Sequence, residues 1–204
     1  MPVGADVVEW LGDRLAGCST RLKLDRLKPF SPHFCRGWIP VAFVFSAPGE
    51  AEMRAGKPVA GETGTNLESA LACLHSAQPA RFPSPHRYDY RITNAYPEPI
   101  AIVLGHRESE AGDTEVRDPR NVERVLRELE DCNLVVLSGN KAAVLTEAIR
   151  GSGRQVVRVP HIGNKGLNGK FKVPDHLKPG SASARRQHRI QLWANAVLHG
   201  LQGQ

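Results

Sequence analysis

Four short loops of this chain hold side chains that can bind or transform a ligand. Asn94 lies in "TNAYPEP" and His161 in "PHIGNKGLNG", while "SAPGEAEM" holds Glu52 and "SGNKAA" holds Lys141. A histidine can donate a proton or a hydrogen bond near neutral pH, a carboxylate can activate water, and a lysine can pair with an anion. Each loop directly follows an apolar run. If those runs are parallel strands, the loops meet at one edge of a sheet.

Taken singly, the loops also allow ordinary interpretations. The amide of Asn94 can donate and accept side by side, which suits the edge of a pyrimidine base, or it can close an Asx turn. The loop around Pro48 and Gly49 can hold an anion or a base edge, or be a simple glycine-rich turn. The helix start at Lys141 can meet a phosphate or be an ordinary N-cap. The functional hypothesis therefore depends on the combination.

The elements that must position these loops follow from the hydrophobic pattern. The predicted strands are 41–45, 90–95, 134–139 and 155–161, and the predicted helices are 63–77, 118–132, 140–153 and 183–201. Strands that alternate with helices predict an α/β fold, a three-layer α/β/α sandwich around a central, mainly parallel four-stranded sheet. In such a sheet ligands bind beyond the carboxyl ends of the strands, which is where all four loops lie.

The composition predicts one globular domain, 1–204, with residues 1–40 as a helical or irregular extension packed on it. No apolar run approaches a membrane span and the N-terminus lacks signal-peptide features, so we expect a cytoplasmic protein. The four cysteines are scattered without a C-x-x-C pair, and we expect no metal, no iron–sulphur cluster and no cofactor. A net charge of +6 makes a polyanionic partner plausible.

In sequence order, the same loops resemble the motifs of the uracil-DNA glycosylase superfamily. The stretch "APGEAEMRAGKPVAGETG" follows the frame of the family 4 enzymes, G-E-x-P-G and then G-[RK]-P-F-V-G-x-x-G, without a gap. "ITN" at 92–94 matches the second element of that family, His161-Ile162-Gly163 partly matches its closing H-P-S, and "NKG" at 164–166 is similar to the single-strand-selective branch. The resemblance covers about residues 41–200. It implies an enzyme that flips uracil out of DNA and hydrolyses its N-glycosidic bond, leaving an abasic site.

The chain departs from that family at the acidic positions of the first motif. Ser46 and Ala47 stand where other members have a catalytic carboxylate, and Val59 replaces a stacking phenylalanine. Resemblance to a family 5-like branch places the carboxylate at Glu62, in "GKPVAGET", and Glu52 is the next candidate. The alternative for Glu62 is that it merely places a negative charge at a helix N-terminus.

The resemblance also implies roles around the base. His161 would donate a hydrogen bond to O2 of the leaving uracil, and Asn94 would bind its O4 and N3–H edge. Tyr96 or Phe45 would exclude thymine through bulk near C5, and the sequence leaves that choice open. Further substrate contacts would come from Ser46, which would position water, and from the backbone of Ala47, Pro48 and Gly49.

The implied DNA surface is basic and lies mainly on the third and fourth loops. Leu167 is the expected wedge that fills the vacated base stack. Arg185, Arg186 and Arg189 either extend this surface or form a solvated helix face. The implied contacts are Ser138, Gly139, Lys141, Gly163, Asn164, Lys165, Leu167, Lys170 and Lys172.

We therefore expect a monomeric, monofunctional uracil-DNA glycosylase, associated with the nucleoid, whose partner is single- or double-stranded DNA containing uracil. One alternative is a protein that binds uracil or abasic DNA with weak or lost catalysis, because the first motif lacks its acid. Another is an α/β enzyme for a small nucleotide, whose binding would depend little on salt. A structural protein with a basic face fits least, since it leaves four strand-end loops unexplained.

Overall fold

A computed structural model of the chain describes residues 30–100 and 110–202. The strands in that part of the chain are β1 (Phe30–Ser31), β2 (Phe34–Cys35), β3 (Ile39–Phe45), β4 (Tyr90–Asn94), β5 (Leu134–Ser138) and β6 (Gln155–Val159). They form one sheet in the order β1-β2-β4-β3-β5-β6. The four longer strands are parallel to one another, and β1 and β2 form an antiparallel hairpin against β4.

Strand β3 is central to the parallel part of the sheet. From β3 the chain continues to β4 on one side and then crosses to β5 and β6 on the other. Its sequence, IPVAFVF, is almost entirely apolar, because helices cover both faces of a parallel sheet and leave neither face to water. A reversal of strand order opens a crevice outside the carboxyl ends of the strands. In this chain that crevice lies beyond Phe45.

The helices cover the sheet on both sides. The α-helices of the described residues are α1 (Glu50–Ala55), α2 (Glu62–Ala77), α3 (Asp113–Val116), α4 (Pro119–Glu128), α5 (Asn140–Ala143), α6 (Thr146–Gly151), α7 (Asn164–Lys170) and α8 (Ala182–Gln202). Short 3-10 helices span Arg87–Asp89 and Asp175–Leu177. Helix α4 begins as its sequence predicts, because the side chain of Asp118 accepts hydrogen bonds from two backbone amides and proline follows it.

Two apolar cores lie on opposite faces of the sheet. Alternate residues of a strand point to opposite faces, so Phe43 and Val44 belong to different cores. On one face Phe43 packs with Leu67 of α2 and Trp193 of α8. On the other face Val44 packs with Val125 of α4 and with the α5–α6 region. The predicted three-layer α/β/α arrangement is therefore confirmed.

The expected sheet of four strands is wrong in number, because six strands are present in the described residues. The four parallel strands lie where the sequence places them, within one or two residues. The additional strands, Phe30–Ser31 and Phe34–Cys35, are each only two residues long and are joined by a turn. A pair of residues has no period-two pattern that sequence could reveal. Residues 1–29 of the expected N-terminal extension lie outside the described residues.

The predicted helix 140–153 is divided into α5 and α6. The hydroxyl of Thr146 donates a 2.6 Å hydrogen bond to the carbonyl of Ala143. Such side-chain bonds compete with the backbone ladder of a helix and favour a break. Likewise, α4 ends at Glu128, earlier than the predicted 132.

In residues 30–100 and 110–202, no helix has both the length and the apolar character needed to cross a bilayer.

Candidate functional site

A cavity of about 700 Å³ opens at the carboxyl ends of the four parallel strands. The four loops that the sequence singles out meet there. The predicted site residues that line the cavity are Phe45, Ser46, Ala47, Gly49, Glu52, Glu62, Asn94, Gly139, Lys141, His161, Gly163, Asn164, Lys165 and Lys170. The topology explains this convergence, since parallel strands present all their carboxyl ends at one edge.

The backbone on both sides of His161 is fixed by buried side chains. The indole Nε1 of Trp193 donates a 2.7 Å hydrogen bond to the carbonyl of Pro160. The hydroxyl of Ser138 donates to the same carbonyl at 3.4 Å and accepts from the amide of Ile162 at 3.3 Å. The loop therefore has little freedom to move the imidazole away from the cavity.

Asn66, on α2, fixes the following residues of this loop. Its side chain is fully buried and donates a 2.8 Å hydrogen bond to the carbonyl of Ile162 and a longer one, 3.3 Å, to Oδ1 of Asn164. Its own Oδ1 accepts a 2.7 Å hydrogen bond from Nε of Arg186 on α8. Helices α2 and α8 thus hold the His161 loop through one amide.

The hydrogen bonds of His161 define which ring nitrogen holds the proton. The backbone amide of Gly163 donates to Nδ1 at 3.0 Å, so Nδ1 must accept and the proton of the neutral ring resides on Nε2. Burial lowers the pKa of His161 below its ordinary value of 6.5, and the negative charge of Glu110 opposes this shift only in part. At pH 7 the ring is therefore a neutral donor through Nε2.

Glycine is required where the chain packs against this ring. Gly139 has a φ of +102°, and a Cβ at this position would lie 3.1 Å from Cβ of His161. A Cβ at Gly163 would lie 2.9 Å from Nδ1 of the same ring. Side chains at these positions would displace the imidazole or block its bond to the Gly163 amide.

Asn94 lies across the cavity from the histidine loop, at the end of β4. The residue is 4% exposed, and its side chain has no hydrogen-bond partner among the described residues. Its backbone carbonyl accepts a 2.9 Å bond from Arg124 of α4, and Arg124 is in turn paired with Glu128. The backbone is therefore fixed while the amide keeps both its donor and its acceptor available to a ligand.

Phe45 and Ser46 form the floor of the cavity at the end of β3. The ring of Phe45 contacts His161 edge to face, with centroids 6.2 Å apart. The hydroxyl of Ser46 is buried and has no hydrogen-bond partner in the described residues. A buried hydroxyl without a partner loses about 1–3 kcal/mol of hydrogen bonding, so this group is poised to bond a ligand or an ordered water.

Val59 stands at the cavity with unusual backbone geometry. Its φ is +43°, in the left-handed region that β-branched residues rarely adopt. The residue is buried and lines the cavity. Strain of this kind, about 1–3 kcal/mol, persists only where the surrounding structure enforces it, and it is concentrated at functional sites.

The carboxylate of Glu52 is occupied by the backbone. Its Oε2 accepts a 2.9 Å hydrogen bond from the amide of Gly49, and its Oε1 accepts one of 3.3 Å from the amide of Gly61. Glu52 therefore ties the first glycine loop to the loop that precedes α2. This geometry supports a positioning role for Glu52 more directly than the catalytic role expected for it.

Two other carboxylates border the cavity and are exposed. Glu62 is the first residue of α2 and accepts a hydrogen bond from the amide of Asn164, so it both charges a helix N-terminus and faces the cavity. Glu110 also lines the cavity, and its charge acts on His161. The sequence did not single out Glu110, because it lies in a charged segment without a recognisable motif.

The lysines of the expected DNA surface divide into two groups. Lys141 forms a 2.7 Å ion pair with Asp113, and this hydrogen bond and charge lower the pKa of Asp113. Lys165 and Lys170 lie on α7, are exposed and line the cavity. Lys172 is also exposed but does not line it.

Four other expectations are not met in this structure. Leu167 is 1% exposed and packs in the core, so it is not presented to a base stack as a wedge would be. Ser138 is fully buried and positions the His161 loop instead of contacting DNA. Pro48 does not line the cavity, and its carbonyl accepts a 2.9 Å hydrogen bond from the amide of Ile100. Tyr96 packs against the second core and also does not line the cavity, whereas Phe45 does.

The sequence did not predict three residues that hold the loops of the cavity in position. Trp193 and Asn66 lie in helical patterns, where a buried indole and a buried amide are indistinguishable from ordinary core or surface residues. Arg124 lies in the predicted helix 118–132. Its hydrogen bond to the backbone carbonyl of Asn94 joins residues 30 positions apart, so no local sequence pattern could reveal it.

No protein-family model matches this chain, and no curated protein matches it significantly.

Proposed function

We propose that this protein removes uracil from DNA by hydrolysing the N-glycosidic bond. The observation that supports the proposal best is the pairing of His161 and Asn94 across one cavity, with the Nε2 proton of the first and the free amide of the second both available to a ligand. A cavity of about 700 Å³ is of the size that holds a small ligand such as a nucleotide.

Recognition of the base follows from the hydrogen-bonding capacity of Asn94. Its NH₂ group would donate to O4 of uracil and its carbonyl oxygen would accept from N3–H. With the amide in this orientation, cytosine would leave both bonds unmade, because it has an amino group at position 4 and no N3–H. A site built around such a pair rejects an analogue that cannot complete it, because the buried groups are left unpaired.

Bond cleavage would depend on His161. The bond between C1′ and N1 breaks, its electron pair leaves with the base, and negative charge develops on O2. The Nε2–H of His161 would donate a hydrogen bond to that oxygen without transferring its proton. A donor fixed in place before the reaction is worth about 2.7–4 kcal/mol in a transition state of this kind.

A water molecule would complete the reaction at the sugar. Water adds to C1′ of the cationic sugar and gives up its proton to a carboxylate. Glu62 and Glu110 are the cavity carboxylates that, within the described residues, accept no hydrogen bond from a backbone amide, and Glu62 follows from the resemblance. The buried hydroxyl of Ser46 would hold the water or a carbonyl of the base.

A second candidate function is binding of uracil-containing or abasic DNA with weak or lost catalysis. It is favoured by the hydrogen bonds that occupy both oxygens of Glu52 and by the absence of an acid at Ser46 and Ala47. In that case the base would enter the cavity, but no carboxylate would assist the water. The nucleoid would be the expected location under either function.

The test is single-turnover excision from a labelled oligonucleotide that contains one uracil, followed by alkaline strand cleavage. We expect excision by the wild type, a loss of about 10²–10³-fold in His161→Ala and a loss of about 10–10²-fold in Asn94→Ala. His199→Ala, which removes an exposed histidine at the end of α8, is the matched control and should leave the rate unchanged.

The carboxylate variants and DNA binding separate the two candidate functions. Loss of excision in Glu62→Ala would identify Glu62 as the carboxylate that accepts the proton of the water. Loss only in Glu110→Ala would identify Glu110. Absence of excision by the wild type, with retained preference for uracil-containing over ordinary DNA, supports the binding protein. Absence of both excision and preference contradicts both functions.

A further inference from the structure

A second hollow lies beside the cavity, between α7 and α8, with a volume of about 540 Å³. Three arginines of α8 line it, Arg185, Arg186 and Arg189, and we call it the arginine groove. Polar side chains of Asn164, Asn168 and Ser183 complete its lining. Asn164 also lines the main cavity, so the two hollows adjoin at this residue.

The ion pairs among the described residues do not include the arginines of the groove. Within residues 30–100 and 110–202, no carboxylate forms an ion pair with any of the three. Arg186 uses Nε to bind Asn66, and Arg189 uses Nε to bind the carbonyl of Phe171 at 3.1 Å.

The terminal nitrogens of these guanidinium groups are largely unused. Those of Arg186 and Arg189 have no hydrogen-bond partner among the described residues. Arg185 uses only Nη1, which donates to the backbone carbonyls of Lys178 and Gly180, and its other terminal nitrogen has no partner in the same part of the chain. Each arginine therefore keeps donors available to an anion.

The position of this charge on α8 is unfavourable for the helix itself. The N-terminus of a helix has partial positive charge, which favours acidic residues in the first turn. The first turn of α8 contains no acid, as is also true of α4, α5 and α7, and it is followed at once by Arg185 and Arg186.

We propose that the arginine groove binds backbone phosphates of the same DNA strand whose base enters the main cavity. This inference deepens the proposed function and rests on it. Guanidinium groups bind phosphate oxygens through pairs of N–H donors, and three of them in one groove match the repeated charges of a single strand. Because Asn164 belongs to both hollows, a strand that leaves the cavity reaches the groove without crossing another element.

Arg186 has a further role, because it connects the groove to the His161 loop. Its Nε holds Asn66, and Asn66 holds the carbonyl of Ile162. A phosphate on the terminal nitrogens of Arg186 would thus stabilise the residue that positions the loop. Arg189 has no such connection, since it binds Phe171 instead. We expect Arg189→Gln to weaken DNA binding alone, and Arg186→Gln to weaken binding and also slow single-turnover excision at saturating protein.

The test is the salt dependence of binding to a fluorescent, uracil-free single-stranded oligonucleotide, measured by anisotropy. In Arg185→Gln/Arg189→Gln, the slope of log affinity against log salt should be reduced by about 1.4, because each single-strand phosphate contact contributes about 0.7. The matched control is Arg81→Gln, which removes an exposed arginine in a hollow at the amino ends of β3 and β5. Its slope should change by less than that of the double variant.

A second variant keeps the test independent of folding defects. Ser183→Glu places an acid in the first turn of α8, which favours the helix but should repel phosphates from the groove. Weaker oligonucleotide binding by a variant that unfolds no more easily than the wild type would support the groove. An unchanged salt slope in both variants overturns the proposal, and so does a loss of affinity confined to duplex DNA. Equal competition by polyglutamate would also overturn it in favour of an acidic protein partner.

The outcomes also distinguish this inference from the proposed function. If the wild type excises no uracil but the salt slope falls in the double variant, the protein binds strands through the groove and the proposed reaction is wrong. If the wild type excises uracil and the slope does not change, the reaction stands and the groove is not a phosphate site.

Discussion

The two sides of the candidate site are built differently. On the His161 side, Trp193, Ser138 and Asn66 hold the residues before and after the histidine, Pro160 and Ile162, and the Gly163 amide fixes the ring itself. At the rim of the cavity, Glu62 and Glu110 are exposed instead, and the only hydrogen bond of the Glu62 carboxylate in the described residues comes from the side chain of Asn164.

This difference separates the groups that would meet the leaving base from those that would meet water. A hydrogen-bond donor stabilises a transition state best when it is fixed before the substrate arrives. A carboxylate at the rim can be ordered by the bound nucleotide, and its exposure leaves a path for water. The contrast predicts that substitutions on the two sides will have very different effects on stability.

The largest effect is expected from Trp193→Ala. It removes a fully buried indole from the core and leaves the carbonyl of Pro160 without its strongest donor. We expect the free energy of unfolding to fall by about 3–5 kcal/mol, measured by urea denaturation. Trp38→Ala is the matched control, because Trp38 is 70% exposed, and it should change stability by no more than about 0.5 kcal/mol. Equal losses in both variants would contradict the contrast between buried and exposed sides.

A smaller loss is expected from Asn66→Ala. The change leaves the carbonyl of Ile162 and Nε of Arg186 without their partner, and such a loss amounts to about 1–3 kcal/mol. Ser69→Ala, on the exposed face of the same helix, is the control, and its loss should not exceed about 0.5 kcal/mol. A stability of Asn66→Ala equal to that of the control would mean that the amide does not hold the His161 loop.

The sequence predicted the strands and loops of the site better than the buried side chains that hold those loops in place. Parallel strands and their loops follow from apolar runs and glycines, so the sequence alone places Phe45, Asn94 and His161 at one edge of the sheet. The hydrogen bond from Trp193 to Pro160 spans 33 residues and that from Asn66 to Ile162 spans 96. No local pattern encodes such pairs. Leu167 shows the reverse error, since an apolar residue in a basic loop suggested an exposed tip but is buried in the core.

The pH dependence of stability should reflect His161. Its pKa is lowered in the folded protein by burial, with Glu110 in partial opposition, so the unfolded chain binds more protons as the pH falls below 6.5. Stability from the neutral ring is therefore fully present above pH 6.5 and is lost as the pH falls toward the lower folded pKa. Urea denaturation of the wild type and of His161→Gln between about pH 7.5 and pH 5 would measure this loss. The difference between their free energies of unfolding should narrow as the pH falls. A difference that grows on acidification would mean that the folded ring has a raised pKa.

The smallest effect on stability is expected from Glu62→Gln. Glu62 is exposed, and the amide that replaces the carboxylate can still accept a hydrogen bond from Asn164. We expect a change of no more than about 0.5 kcal/mol in the free energy of unfolding. A loss comparable to that of Asn66→Ala would show that the rim is as tightly held as the histidine loop.

The most direct test of the account is the protonation of His161, observed by ¹⁵N NMR of the imidazole nitrogens in the folded protein at pH 7. The account predicts a neutral ring with its proton on Nε2 and with Nδ1 bonded to the Gly163 amide. A proton on Nδ1, or a charged ring at that pH, would contradict it, because the cavity would then lack the fixed neutral donor on which the proposed reaction depends.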